Sequence, residues 1–129
     1  MSELKIKMLI EKANKFINTA KLALNNGDYD STVSRTYYAM FYVTKAILHT
    51  KNLKAKTHNA LVSLFGFHFV KSNIFSKEMG KLLNNALEMR LSGDYDDENS
   101  IDKKAAEELL IAGQDFVKKA IEYLKNNKF

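Results

Sequence analysis

Arg90, Asp94 and Tyr95 fall close together in the stretch Met89-Arg90-Leu91-Ser92-Gly93-Asp94-Tyr95-Asp96-Asp97, with four residues between the arginine and the tyrosine. A guanidinium keeps its charge at any physiological pH and offers paired N–H donors that match the oxygens of a phosphate. A carboxylate and a phenol can orient a hydroxyl group. With a pKa of about 10, a phenol is a poor base near neutrality. The set therefore suits holding a phosphate more than moving a proton. The tetrapeptide Gly-Asp-Tyr-Asp also occurs earlier, at Gly27 to Asp30, with no arginine ahead of it. Both copies can be read as a helix stop followed by a cap, with glycine supplying a positive φ and aspartate accepting orphan amide hydrogens. Arg90 is what sets the second copy apart.

Arg90 also falls on an apolar stripe. Leu83, Ala86 and Leu87 mark the inward face of the helix ahead of it, and three further residues bring Arg90 onto that face. An inward guanidinium needs partners. One reading is a structural ion pair with Asp94, Asp96 or Asp97 at a helix end, and the other is an anion site. His58 and His68 also lie in register with Leu61, Val62, Leu64 and Phe65, as core histidines commonly do. No His-x3-His or His-Glu-x2-His spacing occurs, so no metal site is expected. Glycine-rich phosphate loops, a Gly-x-Ser-x-Gly elbow and a helix-turn-helix reader are equally missing from the pattern.

The elements that must position these residues are helices. The chain has 129 residues, no proline, no cysteine and five glycines, with 46% hydrophobic and 27% charged residues. That describes a folded, mostly helical chain, expected as a single domain over residues 1–129. The lack of cysteine suits a cytoplasmic protein. No apolar run is long enough for a membrane span, and no secretory leader is recognisable. The period of 3.6 residues predicts five helices: about Glu3 to Asn25, Tyr29 to Lys51, Thr57 to Val70, Ser76 to Ser92, and Ile101 to Asn126. Asp28, Thr57 and Ser76 are the expected caps, and Gly93 to Ser100 the expected acidic loop. Short connections between helices imply antiparallel neighbours. The fold class is all-α, an up-and-down bundle of about five helices.

Two further features bear on partners. The second helix carries Val33, Tyr37, Met40, Phe41, Thr44, Ile47 and Leu48 on one side and Arg35, Tyr38, Ala39, Tyr42, Ala46 and His49 on the other. Such a helix is either central in its bundle or packed on a second chain, which makes Tyr38 and Tyr42 dimer-face candidates. The net charge of +5 is uneven, with ten Lys/Arg against four acids over residues 1–56 and six against nine over 94–129. A basic N-terminal half suits a phosphate-bearing or acidic partner, or is simply a set of solvated lysines.

Three segments carry a family resemblance. They are GDYDSTVSRTYYAMFYVTKAIL at 27–48, KTHNALVSLFGFHFVKSN at 56–73 and EMRLSGDYDD at 88–97. In combination they resemble the HEPN domains (higher eukaryotes and prokaryotes nucleotide-binding), across nearly the whole chain. The closest likeness is to the small prokaryotic branch often encoded beside a minimal nucleotidyltransferase. The resemblance implies a helical bundle that forms a homodimer. In HEPN ribonucleases an arginine at a helix end, followed after a short spacer by a histidine, faces a cleft between protomers and cleaves RNA without a metal. The arginine matches Arg90. The histidine position is occupied by Tyr95, a departure that keeps phosphate recognition but removes the obvious proton shuttle.

Two functions follow from the resemblance. In the first, the chain is the toxin of a toxin–antitoxin pair and a metal-independent endoribonuclease. Arg90 would hold the scissile phosphate while Tyr95 and Asp94 position the ribose hydroxyl. Arg35 and His58 would assist if they open to the same cleft, and Lys51, Lys54 and Lys56 would hold the flanking backbone. The nucleotidyltransferase partner would attach AMP to a tyrosine of this motif, and Tyr95 is the matching acceptor. In the second, the chain is a catalytically inactive HEPN module that binds nucleotide or the nucleotidyltransferase. A purely structural helical adaptor is a third reading. None of these needs a cofactor.

Overall fold

The computed structural model describes residues 2–95 and 101–127. Five α-helices follow one another: α1 (Ser2–Asn25), α2 (Tyr29–His49), α3 (His58–Phe65), α4 (Lys77–Tyr95) and α5 (Lys103–Asn126). A π-helical turn, Gly66–Val70, continues directly from α3. Its signature is the bond from the Lys71 amide to the Gly66 carbonyl at 2.9 Å, one residue longer than an α-helical bond.

The boundaries come from side chains that satisfy the free ends of helices. At the end of α1, Gly27 takes φ 75°, which its missing Cβ allows. The Asp28 amide then donates to the Ala23 carbonyl at 2.9 Å and the Gly27 amide to the Leu24 carbonyl at 3.1 Å, a Schellman closure. Asp28 next caps α2 by accepting from the Ser31 amide at 3.2 Å. Thr57 caps α3 through the Ala60 amide at 3.0 Å, and Ser76 caps α4 through the Met79 amide at 3.2 Å. Asp102, rather than Ile101, sets the start of α5, accepting from the Ala105 amide at 2.8 Å.

The second Gly-Asp-Tyr-Asp copy departs from the expected helix stop. The α4 backbone runs through Gly93 and Asp94 to Tyr95. A glycine inside a helix costs only about 1 kcal/mol against alanine, so it does not end a helix by itself. The first copy follows Asn25-Asn26, whereas the second follows Leu91-Ser92, which continues the helix. Two smaller corrections concern the other elements. α2 ends at His49 rather than Lys51, and the regular part of the third helix ends at Phe65 rather than Val70. On α1 the fully buried stripe is Ile6, Ala13 and Ala20, with Leu9 and Ile17 beside it; Ile10, Phe16 and Leu24 are half-buried at its edge.

α2 is the central helix and packs against α1, α3, α4 and α5. Part of its second side is therefore also covered within one chain: Ala39 and Ala46, on the side opposite Tyr37 and Met40, are fully buried, whereas Arg35 is exposed and Tyr38 and Tyr42 are half-buried. Three buried threonines on α2 would strand hydroxyls in the core. Each instead donates one turn back, Thr32 to the Asp28 carbonyl at 2.8 Å, Thr36 to Thr32 at 2.7 Å and Thr44 to Met40 at 2.7 Å. α5 reaches α2 through Gly113, where a Cβ would run into the Thr36 methyl group. The far end of the core is aromatic, with Phe65, Phe69, Phe75 and Phe116 packed together and Tyr123 edge-on to Phe75. Among the described residues, no helix is long and apolar enough to cross a membrane.

Candidate functional site

The site begins with a buried phenol. Tyr37 lies in the middle of α2 and is 0% exposed. Its hydroxyl is 2.7 Å from Nδ1 of His58, the first residue of α3. α2 runs on for twelve residues beyond Tyr37, about 18 Å at the usual helical rise. The connector must therefore travel back along α2 to return the chain to Tyr37. It turns at Asn52, with φ 57°, and the Leu53 amide folds back to the Leu48 carbonyl at 3.0 Å. Thr57 is extended, with φ −137° and ψ 164°, and delivers His58 onto the tyrosine.

α4 supplies the cation. Leu83, Ala86 and Leu87 are buried, and Arg90 follows them along the same stripe as its spacing predicts. It is half-buried, with its guanidinium carbon 4.9 Å from the centre of the Tyr38 ring and 6.0 Å from that of Tyr37. His58 touches the same two rings, its own centre lying 5.5 Å from Tyr37 and 6.0 Å from Tyr38. Phe41 packs on the imidazole at 4.7 Å. Arginine and histidine from two different helices thus share a tyrosine-lined floor on a third.

The electrostatics follow from this packing. Burial pushes the Tyr37 hydroxyl well above the ordinary phenol range; the Arg90 charge opposes this and Tyr38 adds to it. The phenol is therefore neutral at physiological pH. Burial, and next the Arg90 charge, lower the His58 pKa below its ordinary 6.5. His58 is accordingly neutral at pH 7. The arrangement brings one permanent cation and one neutral imidazole to the same pair of tyrosine rings, a pairing of charge and N–H donor that suits an oxyanion.

The remaining predicted positions divide. Arg35 is exposed and lines a groove of about 360 Å³ with Phe16, Ser31, Ser34, Tyr38 and Tyr42, so it adjoins the Arg90 floor through Tyr38. Tyr38 and Tyr42 are half-buried, each stacked on Phe16 of α1 at 5.7 and 5.5 Å. Lys54 is elsewhere: it lines a separate cavity of about 480 Å³ with Lys5, Leu9, Lys45, His49 and Leu53. Lys56 is exposed two residues before His58. Lys51 already has a structural task, donating to the His68 carbonyl at 3.1 Å and lying over the Phe69 ring at 4.5 Å. His68 is half-buried against the exposed Phe67 and so is not a core histidine. For Asp94 and Tyr95 the side chains lie outside the described residues, and so do Asp96 and Asp97 entirely.

Sequence reasoning missed three participants. Tyr37 reads as ordinary core, and nothing local marks it as the partner of a histidine 21 residues away. Lys12 lies 4.4 Å from the Tyr42 ring centre, and Lys45 lies 5.4 Å from Phe41 and 5.9 Å from Tyr42. Lys45 was findable, since positions three and four apart on a helix are neighbours. Lys12 reaches across from another helix and left no such sign.

An all-helical bundle with a central tyrosine-rich helix and an arginine turned inward from α4 defines a class that sequence comparison makes specific. The chain belongs to the HEPN domain family, whose model matches residues 6–127. Among its relatives, a Methanocaldococcus jannaschii protein named "Putative toxin MJ0142" is 39% identical over 119 residues, spanning 92% of this chain and 81% of that protein. A second protein of that organism, named "Putative toxin MJ0605", is 32% identical over 93% of this chain and 89% of its own length. A Thermotoga maritima relative, named only "UPF0332 protein", is 33% identical over 88% of this chain and 89% of its own.

Proposed function

We propose that this chain is a toxin-like HEPN protein, a metal-independent endoribonuclease that works as a homodimer of single-domain protomers. The observation that supports this best is the meeting of Arg90 and His58 on the Tyr37 and Tyr38 rings. A guanidinium at this position is suited to hold a phosphodiester by charge and by paired N–H donors. Arg35, through its shared groove with Tyr38, extends the positive face along an RNA strand. Asp94 and Tyr95, at the end of α4, would then orient the ribose hydroxyl. The toxin reading also draws on the names of two relatives. It implies a cytoplasmic protein with a minimal nucleotidyltransferase as antitoxin and Tyr95 as the AMP acceptor. The deciding experiment incubates the purified protein with bulk cellular RNA in the presence of a chelator. Cleavage that disappears in Arg90→Ala supports the reading, and no cleavage, or cleavage unchanged in the variant, refutes it.

One observation favours a second reading. The residue at the histidine position of the ribonuclease motif is Tyr95, which is a poor base at neutral pH. On that reading the same face binds a nucleotide or a nucleotidyltransferase without cutting RNA. Calorimetric titration with ATP and with a candidate partner distinguishes the two. Binding without cleavage selects the second, and the reverse selects the first.

A further inference from the structure

The Tyr37–His58 bond determines which ring nitrogen of His58 carries its hydrogen. Among the described residues, His58 Nδ1 is the single hydrogen-bond partner of the Tyr37 hydroxyl. That hydroxyl is fully buried, so its hydrogen must be used within the protein. If Nδ1 were the donor, the phenol hydrogen would be left without an acceptor in a buried position, which is costly. The phenol cannot avoid this by ionising, because burial raises its proton affinity. The phenol therefore donates and Nδ1 accepts.

A neutral imidazole has one hydrogen, and with Nδ1 accepting it must sit on Nε2. Nε2 lies on the side of the ring away from the buried hydroxyl, and His58 is only partly buried. The groups facing the imidazole are Tyr37, Tyr38 and Phe41 from α2 and Arg90 from α4. None of the α2 groups offers a carboxylate that would draw this N–H, and Arg90 repels a second proton. This N–H belongs to an imidazole that shares the Tyr37 and Tyr38 rings with the Arg90 guanidinium and feels its charge, and α2 brings no carboxylate to it.

We propose that His58, locked by Tyr37 with its hydrogen on Nε2, is a second oxyanion donor beside Arg90, and that it does not serve as a base. The proposal rests on the reading of Arg90 as the phosphate-holding residue and adds what its neighbour contributes. The ligand is a phosphate oxyanion, whether in an RNA phosphodiester or a free nucleotide. Tyr37 is a positioning residue. It never meets the ligand, but it decides that His58 presents a donor rather than a lone pair. The histidine that this fold brings next to the motif arginine is consequently no substitute for the proton shuttle absent at position 95.

Nitrogen-15 NMR of the histidine side chains tests this directly. In the wild-type protein at neutral pH, His58 is expected to show an unprotonated Nδ1 and a protonated Nε2. In Tyr37→Phe the two tautomers are expected to average. A protonated Nδ1, or averaging already in the wild type, overturns the proposal. Binding is then followed with AMP and with a 2′-O-methylated RNA oligonucleotide, which cannot be cut through its 2′ oxygen. His58→Ala is expected to weaken binding by about tenfold, whereas His58→Gln, which keeps an N–H donor, is expected to stay within about threefold of the wild type. Equal losses in both variants, no loss in His58→Ala, or no binding of either probe overturns the donor role. Binding of one probe alone identifies which phosphate the site takes and supports the proposal. Failure of the ribonuclease reading looks different: no RNA is cut while the tautomer and the binding pattern remain.

Discussion

The Arg90 guanidinium carbon lies 4.9 Å from the centre of the Tyr38 ring, a contact that ties the last turns of α4 to the middle of α2. A guanidinium over an aromatic ring is drawn to the negative face of its π system. The contact therefore helps hold the arginine against the tyrosine-lined floor.

Replacing Arg90 separates charge from shape. Arg90→Ala is expected to reduce affinity for a single-stranded RNA oligonucleotide by tenfold or more, on the order of 1.5–3 kcal/mol for a charge-assisted hydrogen bond. Arg90→Lys is expected to recover only part of this, because an ammonium lacks the planar pair of donors. Fluorescence anisotropy measures the affinities, and circular dichroism checks that the helices persist. Full recovery by lysine would show that charge alone matters.

Removing the Tyr37 hydroxyl should register in stability. Tyr37→Phe keeps the ring and its contacts but deletes the bond to His58, at a cost of about 1 kcal/mol in urea denaturation. The phenol itself can be followed by ultraviolet titration. Tyr37 is expected to stay protonated well above the ordinary phenol range, because burial raises its pKa. The late-ionising amplitude should be missing from Tyr37→Phe.

His58 makes stability depend on pH. Its folded pKa is lowered, so between that value and the unfolded value of about 6.5 the unfolded chain binds more protons than the folded one. Stability is thus fully present above about pH 6.5 and falls as the pH drops through this window, levelling off once the folded form is also protonated. Thermal unfolding at pH 7.5 and at pH 5 should show a smaller drop for His58→Gln than for the wild type. The comparison with the variant isolates this histidine from the carboxylates that titrate at lower pH.

Gly113 is where α5 comes closest to α2. Gly113→Ala places a methyl group against the Thr36 methyl and is expected to destabilise by about 1–3 kcal/mol through overpacking. This reverses the usual helical preference for alanine over glycine. Adding Thr36→Ser removes the opposing methyl while keeping a hydroxyl that can bond to the Thr32 carbonyl. The double variant should recover most of the loss in chemical denaturation.

What the sequence determined by itself was local. Apolar spacing marks the five helices, and Asp28, Thr57 and Ser76 act as the caps their positions suggest, because a cap answers to amides two or three residues away. The inward setting of Arg90 was legible for the same reason, since helical geometry carries the stripe of Leu83 and Leu87 forward to it. The π turn after Phe65 and the continuation of α4 past Gly93 were not legible, because a single glycine costs a helix only about 1 kcal/mol and so does not say whether the helix stops, changes its bonding or runs on. Only the tertiary structure decided the site itself. Tyr37, Tyr38, His58 and Arg90 come from three helices, and their meeting depends on a connector that runs back along α2 and on α4 crossing the same helix. No spacing along the chain encodes a contact between residues so far apart, because it is the burial of the helix faces against α2 that brings them together.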